Sequence, residues 1–135
     1  ELGQIKTFSK NKKNIFIHGM LNQNELFSQI INYDIGLVSL SNKIYGAFPS
    51  KIYDLINLNI PILYIGEGGG EKFINEFDIG WTIKANDFNA LHEILNKIKS
   101  INENDYIQII ERLEKLSNNQ FDFNNQIDLF DKYIS

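Results

Sequence analysis

Short, continuous apolar runs alternate along this chain with segments whose apolar residues recur at helical spacing. Ile15, Phe16 and Ile17 form one run within residues 14–18, and Ile35, Leu37, Val38 and Leu40 another within 34–40. Ile62 to Ile65 is a third, and Trp81 and Ile83 mark a fourth within 80–84. Runs of this length suit strands buried on both faces. Between and after them lie helical stripes: Leu26, Phe27, Ile30 and Ile31; Phe73, Ile74 and Phe77; Leu91, Ile94, Leu95 and Ile98; Ile107, Ile110, Leu113 and Leu116. Asn22 with Glu25 three residues on has the spacing of a capping box, and Asp87 is placed to cap the helix of Leu91. A last segment carries Phe123, Ile127, Phe130 and Ile134. Strands alternating with helices in this way predict βαβ units on a parallel sheet, an α/β fold.

Four strands are few for a doubly wound sheet. The chain also opens on polar, lysine-containing residues that resemble a helix end and lead straight into the first strand. Both features suggest a single domain, residues 1–135, cut at its N-terminus from a longer protein. At 135 residues it is long enough to bury a core. There is no cysteine, hence no disulfide framework and no thiolate nucleophile or metal ligand. Seventeen acidic against 13 basic side chains give a net charge of −4, which carries no electrostatic footprint for nucleic acid or an anionic membrane. No apolar run approaches the roughly 18–20 residues that span a bilayer. His18 and His92 stand far apart without a carboxylate cluster, so no metal site is expected.

In the stretch Gly-Ala-Phe-Pro-Ser-Lys-Ile-Tyr-Asp-Leu-Ile-Asn-Leu-Asn-Ile-Pro-Ile-Leu at 46–63, Pro49 opens a helix, Asn59 turns the chain and Pro61 starts a strand. Proline suits the first helical position because an N–H there has no intrahelical partner. The free N–H groups of such a start form a ready anion site. Lys51 stands in the first turn, against the helix dipole, and Asp54 lies about one turn further in. A cation placed against a local rule points to a ligand that offsets it. A phosphate-bearing ligand at Ser50 and Lys51, with sugar hydroxyls reaching Asp54, meets that requirement. Ligands of open α/β sheets bind beyond the carboxyl ends of the strands. The loops at 19–20, 39–50 and 66–71 leave those ends and are expected to converge.

The Phe-Pro-Ser-Lys-Ile-Tyr-Asp run, with Asn-Ile-Pro-Ile-Leu after it, resembles the Pro-Ser-Lys-Ile-hydrophobic-Glu-Tyr and Gly-Lys-Pro-Val-Leu segment of GT-B glycosyltransferases. The likeness is to the retaining family-4 enzymes of bacterial surface-polysaccharide synthesis. Asn-Ile-Phe-Ile-His-Gly-Met at 14–20 is similar to the family's Asn-Ile-hydrophobic-Phe-Thr-Gly strand. Tyr-Asp-Ile-Gly-Leu-Val-Ser-Leu at 33–40 is similar to its Ala-Asp-hydrophobic-Gly-Leu-Val-Pro-Leu, and 66–80 to its glycine-rich turn and helix. The likeness runs in order over residues 14–100.

The resemblance implies a Rossmann-like parallel sheet flanked by helices, the C-terminal, donor-binding half of a GT-B architecture. It implies a UDP- or GDP-sugar as donor substrate, no cofactor and no metal, and transfer to a polysaccharide or lipid-linked acceptor with retention. Asp54 takes the place of a glutamate that holds the ribose, and Gly46 the place of a second glutamate of the motif. Pro49, Ser50 and Lys51 would be donor-binding, with the diphosphate on backbone N–H groups near Ser50 and Lys51. Gly19 and Met20 would lie beside the base, with His18 and Glu71 as candidate contacts to base or sugar. The catalytic residues and the basic diphosphate pair fall outside this stretch, as does the acceptor-binding half. That makes the isolated chain inactive and leaves any membrane association to the absent half. The location implied is cytoplasmic, extending to the inner membrane face for the full-length enzyme.

A UDP-sugar 2-epimerase on the same architecture and a non-catalytic α/β binding module are the alternatives. The turn Gly66-Glu67-Gly68-Gly69-Gly70-Glu71 does not complete a dinucleotide fingerprint, because Glu71 stands where the third glycine belongs and the next strand ends at Lys84. Glu71 is either a sugar or acceptor contact or simply an acid placed favourably at a helix start.

Overall fold

A computed structural model describes residues 2–40 and 48–120. The loop at 41–47, with Gly46, and the segment of Phe123, Ile127, Phe130 and Ile134 lie outside the described residues. The chain divides into two compact units, Glu1–Ile30 and Ile31–Ser135.

The first unit holds two helices, α1 (Leu2–Ser9) and α2 (Gln23–Ile30). The Asn22 capping box forms as expected. The Asn22 N–H donates to Glu25 Oε2 at 2.9 Å, and the Glu25 N–H donates to Asn22 Oδ1 at 2.9 Å. The strand expected at 14–18 is absent: those residues have no regular secondary structure. The Ile15 N–H turns back to the Lys12 carbonyl at 3.4 Å, and the Phe16 side chain is 68 % exposed. An apolar run becomes a strand only where a partner takes up its N–H and C=O groups, and the described part of this unit contains no other strand.

The second unit is α/β. Three parallel strands, β1 (Gly36–Ser39), β2 (Ile62–Ile65) and β3 (Gly80–Ile83), lie in the order β1-β2-β3. The described strands therefore number three where the sequence predicts four. Ile62, Leu63 and Tyr64 are buried on both faces of the central strand, as their unbroken apolar run requires. In register, Gly36, Ile62 and Gly80 form one cross-strand row and Ser39, Ile65 and Ile83 another. Successive residues of a strand point to opposite faces, so these two rows belong to opposite faces of the sheet.

α3 (Ser50–Asn57) and α4 (Gly69–Phe77) cover the face of the Gly36 row. α3 buries Ile52, Leu55 and Ile56, the inward stripe of an amphipathic helix. A Cβ on Gly36 would collide with the Leu55 side chain, so glycine is what lets α3 approach β1. Asn59 makes the expected turn out of α3, and does so in the left-handed conformation, with φ of 53°. The Ile60 N–H reaches the Leu55 carbonyl at 2.9 Å and delivers the buried Pro61 to the start of β2. Pro49 differs from expectation by one position. Its ψ of 118° is extended, so it is the N-cap and Ser50 is the first helical residue.

α5 (Phe88–Lys99) follows β3, and α6 (Glu103–Gln120) packs against α3. Asp87 caps α5 as predicted, accepting the Ala90 N–H at 2.9 Å on Oδ1. Leu91, Ile94 and Ile98 are half-buried, whereas Leu95 faces solvent. On α6 the buried stripe is Ile109, Leu113 and Leu116, and Ile107 is 45 % exposed. The 107–110–113–116 stripe read from spacing alone is thus rotated at its first turn, because the packing partner sets the phase. Tyr106 donates its hydroxyl to the Asp34 carbonyl at 3.0 Å. Arg112 pairs with Asp78, from Nε to the carbonyl at 2.7 Å and from Nη2 to Oδ2 at 3.0 Å, where Asp78 ends α4 in the left-handed conformation. Trp81 is core, and His92 is exposed.

Candidate functional site

Helices that cross over between parallel strands begin at the carboxyl edge of the sheet, so α3, α4 and α5 all present their N-termini there. Two of these starts are closed by their own side chains. Asp87 closes α5. At α4, Glu71 is the third helical residue and its Oε2 accepts the Gly68 N–H at 3.3 Å. Gly68 has no side chain to return the bond, so this is half of a capping box, helped by a carboxylate at the positive end of the dipole.

α3 is different. Its N-cap is Pro49, no side chain caps it, and its first turn holds no acid. The Ile52 N–H donates to the Pro49 carbonyl at 3.0 Å. Ser50 and Lys51 are exposed, and Asp54, one turn in, is half-buried. Neither the Lys51 ammonium nor the Asp54 carboxylate has a hydrogen bond or ion pair among the described residues. Aromatic packing fixes this start from the side. Phe48 lies 5.0 Å from Tyr53 and 5.2 Å, edge to face, from Phe73, which lies 4.6 Å from Phe77. Burial raises the Tyr53 hydroxyl above its usual pKa. The structure thus places Pro49, Ser50, Lys51 and Asp54 on one helix start, with no side-chain cap and no acid in its first turn among the described residues.

The glycine-rich turn has a structural reason invisible in the sequence. The Tyr64 ring lies beneath it: a Cβ on Gly70 would come within 2.8 Å of Cζ, and one on Gly66 within 3.3 Å of the hydroxyl. The Tyr64 hydroxyl is buried and has no hydrogen-bond partner among the described residues. Burial first, and then the Glu71 charge, raise its pKa. Gly66 and Gly68, with φ of 154° and 108°, carry the chain over this ring.

His18, Gly19 and Met20 lie in the first unit, on exposed, irregular chain, and do not end a strand. Sequence reasoning also misses a cavity of about 230 Å³ on the face opposite α3 and α4, at the carboxyl edge. Its floor is the row Ser39, Ile65 and Ile83, and Leu40, Phe88 and Leu91 wall it. No local pattern could announce it, since its lining comes from three strands and a helix.

Among the described residues no group of three or more His, Asp or Glu side chains could hold a metal ion. No helix among them is long and apolar enough to cross a membrane. No known family matches this chain, and neither the curated proteins nor the solved structures hold a match to it.

Proposed function

We propose that this chain is the nucleotide-sugar-binding part of a glycosyltransferase of GT-B architecture. The donor is a UDP- or GDP-sugar and the acceptor a polysaccharide or lipid-linked glycan, handled at the cytoplasmic side of the membrane by the full-length enzyme. The observation that carries the reading is the open start of α3. Three helices begin at the carboxyl edge of the sheet, and the one with neither cap nor acid is the one that carries Lys51 and, a turn further, Asp54.

The chemistry follows from these groups. The diphosphate rests on the N–H groups of Ser50 and Lys51, which carry the positive end of the dipole, and the Lys51 ammonium adds a full charge. As the sugar–phosphate bond breaks, negative charge grows on the leaving diphosphate. Groups already aimed at it stabilise that charge without reorganising. The half-buried Asp54 carboxylate accepts hydrogen bonds from the ribose hydroxyls. Glu71, at the start of α4, offers a second carboxylate to a sugar hydroxyl. Without an acceptor-binding half the chain binds donor but transfers little or nothing.

Amide NMR spectra of the chain during separate titrations with UDP, GDP and NAD test the reading. Saturable shifts at Ser50, Lys51 and Asp54 with UDP or GDP, weakened in Asp54→Ala, are expected and identify the base. A response to none of the three nucleotides, or to NAD alone, overturns it. Transfer of sugar by this chain alone would contradict its role as a donor-binding part.

A further inference from the structure

A second hollow opens at the amino edge of the sheet, opposite the start of α3. It measures about 370 Å³ and lies where β3 begins, between the end of α5 and the first turns of α6. A parallel strand rises about 3.3 Å per residue, so the four residues of β3 separate it from the carboxyl edge by roughly 10 Å. None of its lining belongs to the starts of α3, α4 or α5. Its volume falls within the range of small-ligand sites, about 300–1,000 Å³.

The floor is apolar. Trp81 and Ile109 are 8 % and 7 % exposed, and Ile101 beside them is half-buried. The rim is polar but carries no excess charge, since the cations Lys97 and Arg112 are matched by the anions Asp78 and Asp105. Arg112 and Asp78 are already bonded to each other. Asp105 gives one carboxylate oxygen, Oδ2, to the Asn102 amide at 2.8 Å, and its Oδ1 is unspent. The Lys97 ammonium, the Gln108 amide and the Trp81 indole N–H have no partner among the described residues.

These groups select a ligand by its chemistry. An anion would meet Asp78 and Asp105, and a cation would meet Lys97 and Arg112, so the fit is to an uncharged molecule. A purely apolar molecule would leave the indole N–H, the amide and Oδ1 without partners, at the cost of their lost hydration. The remaining requirement is a small body with apolar C–H faces whose edge both donates and accepts, as hydroxyl groups do. A sugar ring meets it.

We propose that this hollow binds a neutral sugar: the C–H groups of a pyranose lie against Trp81 and Ile109, and its hydroxyls meet the Trp81 N–H, the Gln108 amide, the Lys97 ammonium and Asp105 Oδ1. Binding here is independent of any nucleotide at α3. Only its use rests on the glycosyltransferase reading, as a hold on the glycan at a distance from the donor.

Amide NMR titrations with glucose, galactose, mannose and N-acetylglucosamine test the site, with glycine and UDP titrated separately. Trp81 is the only tryptophan of the chain, so its indole N–H signal needs no assignment. At least one sugar should shift that signal saturably, together with the amides of Gly80, Asp105 and Gln108. Gln108→Ala, at an exposed position of α6, should weaken that sugar about threefold to tenfold, the scale of one hydrogen bond. Trp81→Phe keeps a ring and removes the donor, and should weaken it by a similar factor. Should that core variant not fold, Lys97→Ala takes its place. Silence from all four sugars overturns the site, as do sugar shifts confined to other residues. Affinity unchanged in Gln108→Ala and in the second variant overturns it too. Glycine shifts in the hollow without any sugar response assign it to a zwitterion and overturn the sugar. Sugar shifts here with no UDP response at Ser50 and Lys51 leave this site standing and remove the donor reading, and the converse result does the reverse.

Discussion

α3 and α5 begin at the same edge of the same sheet, one after β1 and one after β3, yet their first turns are built on opposite plans. α5 opens on Asp87, whose carboxylate takes the Ala90 N–H and closes the positive end of the helix. α3 opens on Pro49, which has no side-chain acceptor, and follows it with an exposed lysine. α4 sides with α5, since Glu71 reaches back to the Gly68 N–H. Closed starts serve stability and are complete in themselves. An open start with a cation set against the dipole has no completing side chain among the described residues, and its free N–H groups suit an anion. What distinguishes the two is which residues the chain leaves out.

The largest test of the closed plan is Gly70→Ala. The new methyl would meet the Tyr64 ring at 2.8 Å, and that ring is fully buried in the central strand. Forcing one of them aside should cost about 1–3 kcal/mol in a urea or thermal unfolding curve. A neutral result would show that the glycine turn is held by something other than the ring beneath it. Asp87→Ala comes next. Losing an N-cap acceptor typically costs about 1 kcal/mol, and the effect should be seen with or without nucleotide. If Asp87→Ala weakened binding more than stability, α5 would have to be counted among the open starts.

These helix starts also show what could be read from the chain. The Asn22 box, the Asp87 cap and the Asn59 turn were legible because each is decided within a few residues by a side chain and its own backbone. β2 was legible because a strand buried on both faces needs an unbroken apolar run. The run at 15–17 has the same look but not the same outcome, since pairing is decided by a partner distant in sequence. The phase of the α6 stripe failed for a related reason: spacing fixes that a face exists, and the neighbour fixes which. The open start of α3 was visible in Pro49, Ser50, Lys51 and Asp54, with the cap one residue early. The hollow at the carboxyl edge was not, because Ser39, Ile65, Ile83 and Leu91 share no local pattern.

Tyr64 gives the closed plan a pH dependence. Its pKa is raised above the ordinary 10.0 by burial first and by Glu71 second. The folded state therefore holds the phenolic proton more tightly than the unfolded chain does. Below pH 10 both states are protonated and the stability is fully present. As pH rises above about 10 the unfolded chain releases the proton first and stability falls. Tyr64→Phe should flatten that alkaline fall, at little cost at neutral pH because the hydroxyl has no partner among the described residues to lose. An alkaline limb unchanged in Tyr64→Phe would assign it to Tyr53 and Tyr106, whose pKa values are also raised by burial.

The smallest effect discriminates best. Lys51→Glu puts an acid into the one helix start at this edge with neither a side-chain cap nor an acid among the described residues, and removes the cation that opposes the dipole. If α3 were merely a poorly built helix, the change would repair it, adding about 0.3–1 kcal/mol of stability at low salt and altering nothing else. If the start is open for an anion, the same change should stabilise the free chain by that amount while weakening UDP or GDP binding, because the new carboxylate occupies the field the diphosphate needs. Gain and loss must then appear together, and both should shrink as salt is raised, since screening acts on each. A stability gain without any loss of affinity would reduce α3 to the same kind of helix start as α5, with a different choice of cap.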